Sequence, residues 1–380
     1  MPLSSPILFI TRTYPPIIGG MENLSFDLTT TIEKLTPTYI IKNVYGKKGL
    51  PFFVPYALIK AIYLIITKKI KIVHLSDGVL SPVGLALKII FPKIKIAINI
   101  HGLDLTYAEK LPFYYYSNVL PIRKLDLIIP VSLDTKEECL KYGIEGNKIT
   151  YIPNGTHSDR YYLKIIHENP KEKIRTIKKI LPDIASKIDF SEKFVILFLG
   201  RLAKRKGMAW FTKEVMLKLP QVAVLIIAGD GPDKGKIEKI VEEKHLQDRV
   251  FLLGKVSEKV KKLVLNISDI LVMPNIKVPG DKEGFGITAI EAGACALPPI
   301  VSDIEGLKNA ITNKENGLRL PSKDSKKYIG VIKFLMENPE YRKELSLGSR
   351  EYVRENFDWK IVGERYMGEF IKLEKLTKSK

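Results

Sequence analysis

Hydrophobic positions along the chain fall in short β-rich runs, separated by stretches where they recur every three or four residues. In the first half the runs predict strands at 7–10, 39–44, 71–75, 94–100, 125–131 and 148–152, with helices between them, as over 21–35 and 81–91. The second half repeats the plan at 194–200, 222–229, 249–254, 269–274, 298–303 and 316–321. Near-continuous apolar strands alternating with helices predict parallel sheets covered on both faces. Between the halves, 158–193 is highly charged and helical in pattern, and it follows "IPNGT" (152–156), where Asn154-Gly155 is a strong turn pair. The expected architecture is α/β, two doubly wound Rossmann-like domains in tandem. Ligands of such sheets bind beyond the carboxyl ends of the strands, so two facing domains predict a cleft.

Composition narrows the class of partner. A chain of 380 residues with 45% hydrophobic and 27% charged positions can bury two cores. The net charge of +19 favours a polyanionic partner. That charge is spread out: the first 165 residues carry 20 Lys+Arg against 12 Asp+Glu, and the remainder 41 against 30. Such a spread argues against a dedicated nucleic-acid arm. Cys139 and Cys295 lack metal-ligand spacing and read as reduced, buried thiols. The N-terminus has no basic start and enters a strand directly, so no signal peptide is expected. Residues 50–75 are broken by Pro55 and Lys60 and read as an amphipathic helix followed by a strand, short of the ~18 uninterrupted apolar residues a span needs. The expectation is a soluble, cytoplasmic protein, or one attached to the inner face of the cell membrane.

The strand ends are where chemistry is expected. After the first strand comes "TRTYPPIIGGMEN" (11–23), where Gly19 and Gly20 precede a helix whose N-terminus favours an anion. Taken alone, paired glycines more often just make a tight turn. "HGLDLTY" (101–107) sets His101 at a strand end with Asp104 three residues on, able to donate or accept a proton, although a structural histidine is the commoner fate. "HLSDG" (74–78) adds His74 and Asp77 to the same rim. "RLAKRKG" (201–207) crowds Arg201, Lys204, Arg205 and Lys206 at another strand end, an arrangement suited to phosphate.

The segment "GDKEGFGITAIEAGACALPPIVSD" (280–303) matches G-x-G-x-x-[GA] only loosely, because the loop 275–283 separates it from its strand. What survives is a glycine-rich entry to a helix whose free N–H groups can hold a diphosphate. A carboxylate would repel that diphosphate, so Glu283 and Glu291 are expected to face neutral hydroxyls. For Glu291 an ordinary helix-face ion pair is the plain alternative; its company of Glu283, Arg201 and Lys206 favours a nucleotide-sugar site.

On "PPIIGGMEN", "HGLD", "PNG", "GRLAKRKG", "GDGP" and "EGFGITAIEAGACALP", the chain resembles the retaining glycosyltransferases of family 4, with their two-domain GT-B fold and E-x7-E motif. The resemblance implies an N-terminal acceptor-binding domain over 1–160, rejoined by a terminal helix from about 358–380 that crosses back to it, and a C-terminal donor-binding domain over 161–357. It implies that Arg201 and Lys206 grip the diphosphate and that Glu283 binds hydroxyls of the transferred sugar. Gly284, Phe285, Gly286 and Ile287 would supply backbone amides, and Glu291 would hold the ribose. Gly20, beside Gly19, would approach the phosphate; His101 would lie near the reacting face, with Asp104 on the acceptor side. No cofactor and no metal is implied, and no D-x-D occurs in the chain. Trp359, Tyr366 and Phe370 read as core packing.

The expected reaction moves a hexosyl group from a nucleotide diphosphate sugar, of GDP-mannose or UDP-glucose type, to a lipid-linked or cell-envelope glycan acceptor, with retention. A soluble acceptor stands as the alternative. Segments 56–72 and 110–125, with Lys68, Lys69, Arg123 and Lys124, suit an anionic membrane surface, and ordinary sheet-covering helices explain them equally well. A nucleic-acid-binding protein lacks a recognition motif here, an epimerase does not suit the E-x7-E and Arg/Lys set, and a phosphorylase would carry a pyridoxal-phosphate lysine motif.

Overall fold

The computed structural model describes residues 3–17, 19–109 and 111–378, so Ile18 of the glycine loop and Lys110 lie outside it. The chain divides into two compact units. The first comprises Met1–Gly155, Gly280–Phe285 and Trp359–Lys380; the second comprises Thr156–Pro279 and Gly286–Asp358. Residues 280–285, grouped by sequence with the second domain, thus count with the first.

The first unit is built on five parallel strands, β1 (Ile7–Thr11), β2 (Thr38–Lys42), β3 (Ile72–Leu75), β4 (Lys95–Ile100) and β5 (Leu127–Pro130), in the order β2-β1-β3-β4-β5. Strands β1, β3 and β5 are buried at every position, as strands covered on both faces must be, whereas edge strand β2 buries only Ile41. Helices α1 (Gly20–Glu33), α2 (Gly46–Lys68), α3 (Ser81–Ile90) and α4 (Leu133–Lys141) follow the strands. The terminal helix Trp359–Lys378 packs in this unit: Phe370 meets Phe9 edge-on, and the Tyr366 hydroxyl donates to Asn99 Oδ1 at 3.0 Å. Trp359, Tyr366 and Phe370 are buried, as expected of packing residues.

Two expectations fail here. Residues 148–152 form no strand; they run beside β5 with one isolated bridge, Ile128 to Ile149. The amides of Thr150 and Ile152 donate to β5 carbonyls, but Pro130 has no N–H with which to continue the ladder. Helix α2 is also not amphipathic. Phe53, Ala57, Ala61, Leu64 and Ile65 enter the core, while Phe52, Tyr56, Ile59, Tyr63 and Ile66 form a second apolar stripe that is exposed. Over Lys48–Lys68 the helix is long and apolar enough to cross a membrane by length and composition, and only 28% of its most apolar window is buried.

The second unit has six parallel strands, β6 (Phe194–Leu199), β7 (Ala223–Ala228), β8 (Val250–Gly254), β9 (Ile270–Met273), β10 (Pro299–Ser302) and β11 (Leu318–Leu320), in the order β11-β10-β9-β6-β7-β8. The helices used below are α5 (Glu258–Ile267), α6 (Ile287–Ala294) and α7 (Pro339–Asn356). Ser257 caps α5 by accepting from the Val260 amide, and Gly293 packs α6 against Ser349 and Val353 of α7. From β6 the chain runs outward to β7 and β8, and from β9 the other way to β10 and β11. The carboxyl ends of β6 and β9 therefore flank the point where strand order reverses, which is where open α/β sheets bind ligands. In the first unit the same argument selects the ends of β1 and β3.

Candidate functional site

In the second unit, the loop after β6 carries the predicted cations to the switch point. Arg201 is exposed and its guanidinium has no partner among the described residues, whereas Lys206 is only 7% exposed, an unusual depth for an ammonium. The turn Lys204–Lys206 ends at Gly207, whose φ of 70° is left-handed. A Cβ there would overlap the Pro274 carbonyl oxygen, so glycine is required. The Ile276 amide donates to the Arg205 carbonyl at 2.8 Å, tying this loop to the one that leaves β9.

That second loop leads into α6. Gly286, with φ 92°, is its N-cap; no side chain caps the first turn, and a Cβ on Gly286 would strike Leu307. Ile287 opens the helix, so its N-terminal amides are the ones the sequence assigned to an anion. Glu291 does sit in an ion pair: Lys261 Nζ of α5 donates to its Oε1 at 2.7 Å. Lys261 also donates to the Tyr161 hydroxyl at 3.2 Å, and that hydroxyl donates to Glu258 Oε2 at 2.9 Å.

Glu283, Gly284 and Phe285 belong to the first unit, so the two glutamates of the E-x7-E segment lie in different units. The segment 280–285 is held by neighbouring side chains and backbone. Lys282 Nζ reaches Glu138 Oε1 of α4 at 2.8 Å, and Gly284 lies against the His101 carbonyl oxygen. Phe285 is buried.

The carboxyl ends of β1, β3 and β4 bring together Arg12, Asp77, His101 and Asp104. Arg12 Nε donates to Asp77 Oδ1 at 2.7 Å, and the fully buried Asp77 also accepts from the Val79 amide and the Ser76 hydroxyl. Asp104 is likewise buried and accepts from the His101 amide at 2.8 Å. Burial, and then the charge of Asp77, push the Asp104 carboxyl above its ordinary range. Burial followed by Asp104 and Asp77 pushes the Tyr114 phenol up as well. His101 Nε2 lies 3.0 Å from the Ser76 carbonyl oxygen; a carbonyl only accepts, so Nε2 carries the proton and Nδ1 is left as the acceptor of the neutral ring. His74, by contrast, lies inside β3 with Nε2 3.1 Å from Asn99 Oδ1, and burial pushes it down to about 4. It is a structural residue.

Gly20 begins α1 with open space where a Cβ would stand, and the carboxylate of Glu22 lies over Gly19. Burial pushes both thiols, Cys139 and Cys295, up to about 12, which leaves them unreactive. Among the described residues, no group of three or more His, Cys, Asp or Glu side chains is arranged to hold a metal ion.

Sequence reasoning proposed the cationic loop, the glycine entry and both glutamates, and the structure places Arg201, Lys206 and Glu291 in the second unit and Glu283 in the first. That reasoning missed Arg12, Lys261, Tyr161 and the Lys282–Glu138 pair. Arg12 had a usable signal, a charged residue one step beyond a buried strand.

Residues 182–352 match the family model of glycosyl transferases group 1, and residues 25–160 match that of glycosyltransferase family 4. With a glycosyltransferase model on each unit, the chain is a glycosyltransferase of GT-B architecture. An uncharacterized glycosyltransferase of Methanocaldococcus jannaschii is 24% identical over 93% of this chain and 94% of its own. The N,N'-diacetylbacillosaminyl-diphospho-undecaprenol alpha-1,3-N-acetylgalactosaminyltransferase of Campylobacter jejuni is 25% identical over 72% of this chain and 63% of its own. The Anabaena HepE structure in complex with UDP and glucose superposes with a TM-score of 0.75 at 16% identity, covering 97% of this chain and all of that one.

Proposed function

We propose that the enzyme is a retaining glycosyltransferase that transfers a hexosyl group from a nucleotide diphosphate sugar, of UDP-glucose or GDP-mannose type, to the hydroxyl of a lipid-linked or envelope glycan. The observation that carries this reading is the Arg201–Lys206 loop at the switch point of the second sheet, tied to the loop that leads into the glycine-headed helix α6. The UDP and glucose of the Anabaena protein support the donor class.

In this reading Arg201 and Lys206 neutralise the departing diphosphate, as charge develops on it in the transition state. The α6 amides share that task, Glu283 orients the sugar through its hydroxyls, and Glu291 holds the ribose. His101 accepts a hydrogen bond through Nδ1. The acceptor oxygen attacks C1 on the face the phosphate leaves; the C1–O bond to phosphate breaks, and the leaving phosphate oxygen takes the acceptor's proton. No protein nucleophile and no metal is invoked. Release of UDP or GDP in EDTA, with the product's anomeric configuration read by NMR, tests this. Retention without metal supports it, and inversion or strict metal dependence contradicts it.

Two things support an acceptor at a lipid surface. The Campylobacter relative's name specifies a diphospho-undecaprenol-linked substrate. The exposed stripe Phe52, Tyr56, Ile59, Tyr63 and Ile66 shares α2 with exposed Lys48, Lys60 and Lys68, and exposed Lys69 follows directly. An apolar stripe among lysines suits anionic headgroups. Co-sedimentation with phosphatidylglycerol vesicles but not phosphatidylcholine ones, reduced by Phe52→Ser with Ile59→Ser, is the expected result; equal pelleting with both lipids, or none, would return the choice to a soluble acceptor.

A further inference from the structure

The Lys261–Glu291 pair is not an ordinary solvated helix-face bridge. The two side chains are 14% and 13% exposed. The ammonium is fixed by two residues: by Glu291 Oε1 and by Tyr161, whose hydroxyl accepts from it and whose ring centroid lies 4.4 Å away. Tyr161 is in turn held by its bond to Glu258. Burial alone would lower the ammonium, but Glu291 and Tyr161 outweigh it and keep Lys261 above the usual lysine range. The other carboxylate oxygen, Glu291 Oε2, has no hydrogen-bond partner among the described residues and is not sealed from solvent. One oxygen of this carboxylate is therefore committed and the other is presented.

We infer that Lys261 is a positioning residue that makes Glu291 a reader of ribose hydroxyls, so that the enzyme separates ribonucleotides from deoxyribonucleotides through Oε2. This rests on the reading that Glu291 binds the ribose of the donor. A solvated glutamate samples many rotamers and loses little when a hydroxyl is missing, because water replaces it. A pinned carboxylate on a largely buried side chain has no such freedom, so a 2′-deoxy ligand that covers Oε2 leaves it desolvated and unpaired. Lys261 and Tyr161 supply the pinning. A lysine serving only to brace α5 against α6 would change overall affinity or stability and leave the ratio between the two sugars alone.

The test is calorimetric titration of the full-length protein with UDP, 2′-deoxy-UDP, GDP and 2′-deoxy-GDP, on wild type, Glu291→Gln, Lys261→Met and Lys261→Arg. For the nucleotide that binds, wild type favours the ribo form by about tenfold or more, the scale of one charged hydrogen bond. Lys261→Met reduces that ratio several-fold, and Lys261→Arg retains most of it. Should Lys261→Met fail to fold, Tyr161→Phe, which keeps the ring and removes the hydroxyl, must lower the ratio in its place. A ratio that collapses in Glu291→Gln but stays at the wild-type value in Lys261→Met and Tyr161→Phe overturns the role of Lys261 and leaves the ribose reading standing. A ratio near one in wild type, or one unchanged by Glu291→Gln, overturns both.

Discussion

The segment 280–285 carries Glu283, yet it counts with the first unit, and the Lys282–Glu138 pair is one charged link in that attachment. Removing the pair should therefore misplace Glu283 without touching it. Glu138 is 9% exposed and takes Lys282 at 2.8 Å; it also takes Lys141 at 3.0 Å, so it stays partnered when Lys282 is lost. Lys282 is 37% exposed, which screens the interaction, so the pair is worth about 1 kcal/mol, between a surface bridge and a buried charged hydrogen bond. If that energy holds the segment in its productive position, each single substitution, Glu138→Gln or Lys282→Met, lowers donor kcat/KM by about fivefold. The double variant should fall little further, giving a coupling energy of about 1 kcal/mol in a double-mutant cycle. The assay is nucleotide release at sub-saturating donor, with thermal unfolding recorded to show intact folding. Additive losses, or singles that match wild type, would refute the claim that this pair positions Glu283.

Other consequences follow from individual groups. His74 titrates at about 4 when folded against 6.5 in the unfolded chain, so the unfolded state binds the proton first as pH falls. The stability contributed by its neutral burial, on the order of 3 kcal/mol, is lost between those values, and His74→Phe should flatten the fall in unfolding temperature from pH 7 to pH about 4.5; parallel curves would contradict this. Gly207→Ala places a Cβ on the Pro274 carbonyl at φ 70° and should cost at least about 2 kcal/mol in denaturant unfolding, which an unchanged midpoint would exclude. Arg12→Met strips the partner from a carboxylate with no exposure, beside a second one in Asp104, and should destabilise by about 3 kcal/mol. Asp77→Asn in the same chain should recover part of that loss, and no recovery would point away from an uncompensated charge.

What could be read from sequence was what repeats locally. Eleven of the twelve proposed strands exist, because a run such as FVILFL, buried on both faces, announces itself in consecutive residues. The failure at 148–152 has a cause a propensity argument does not weigh, a proline in the neighbouring strand. Helix α2 misled for the opposite reason: its stripe at 52, 56, 59, 63 and 66 and its core residues at 53, 57, 61, 64 and 65 both obey helical spacing, so periodicity cannot say which side is covered. Motifs were what proposed Arg201, Lys206, Glu283 and Glu291 for the candidate site. Their supports stayed hidden, since Lys282 and Glu138 are separated by 144 positions, Arg12 and Asp77 by 65, and Lys261 and Glu291 by 30. Only folding makes such residues neighbours. The same distance in sequence concealed that one segment of eight-residue spacing is divided between two units.

We propose that the Arg201–Lys206 loop and the N-terminus of α6 take the diphosphate of a nucleotide sugar without metal. The most direct measurement is a thermal-shift panel of UDP, GDP and ADP, each free and with its hexose attached, in EDTA, on wild type, Glu283→Ala and Lys206→Met. One nucleoside family should stabilise wild type, its sugar form more strongly; Glu283→Ala should lose only the sugar increment, and Lys206→Met the response to the diphosphate itself. No shift in folded wild type at millimolar nucleotide, or shifts unchanged in both variants, would contradict the account.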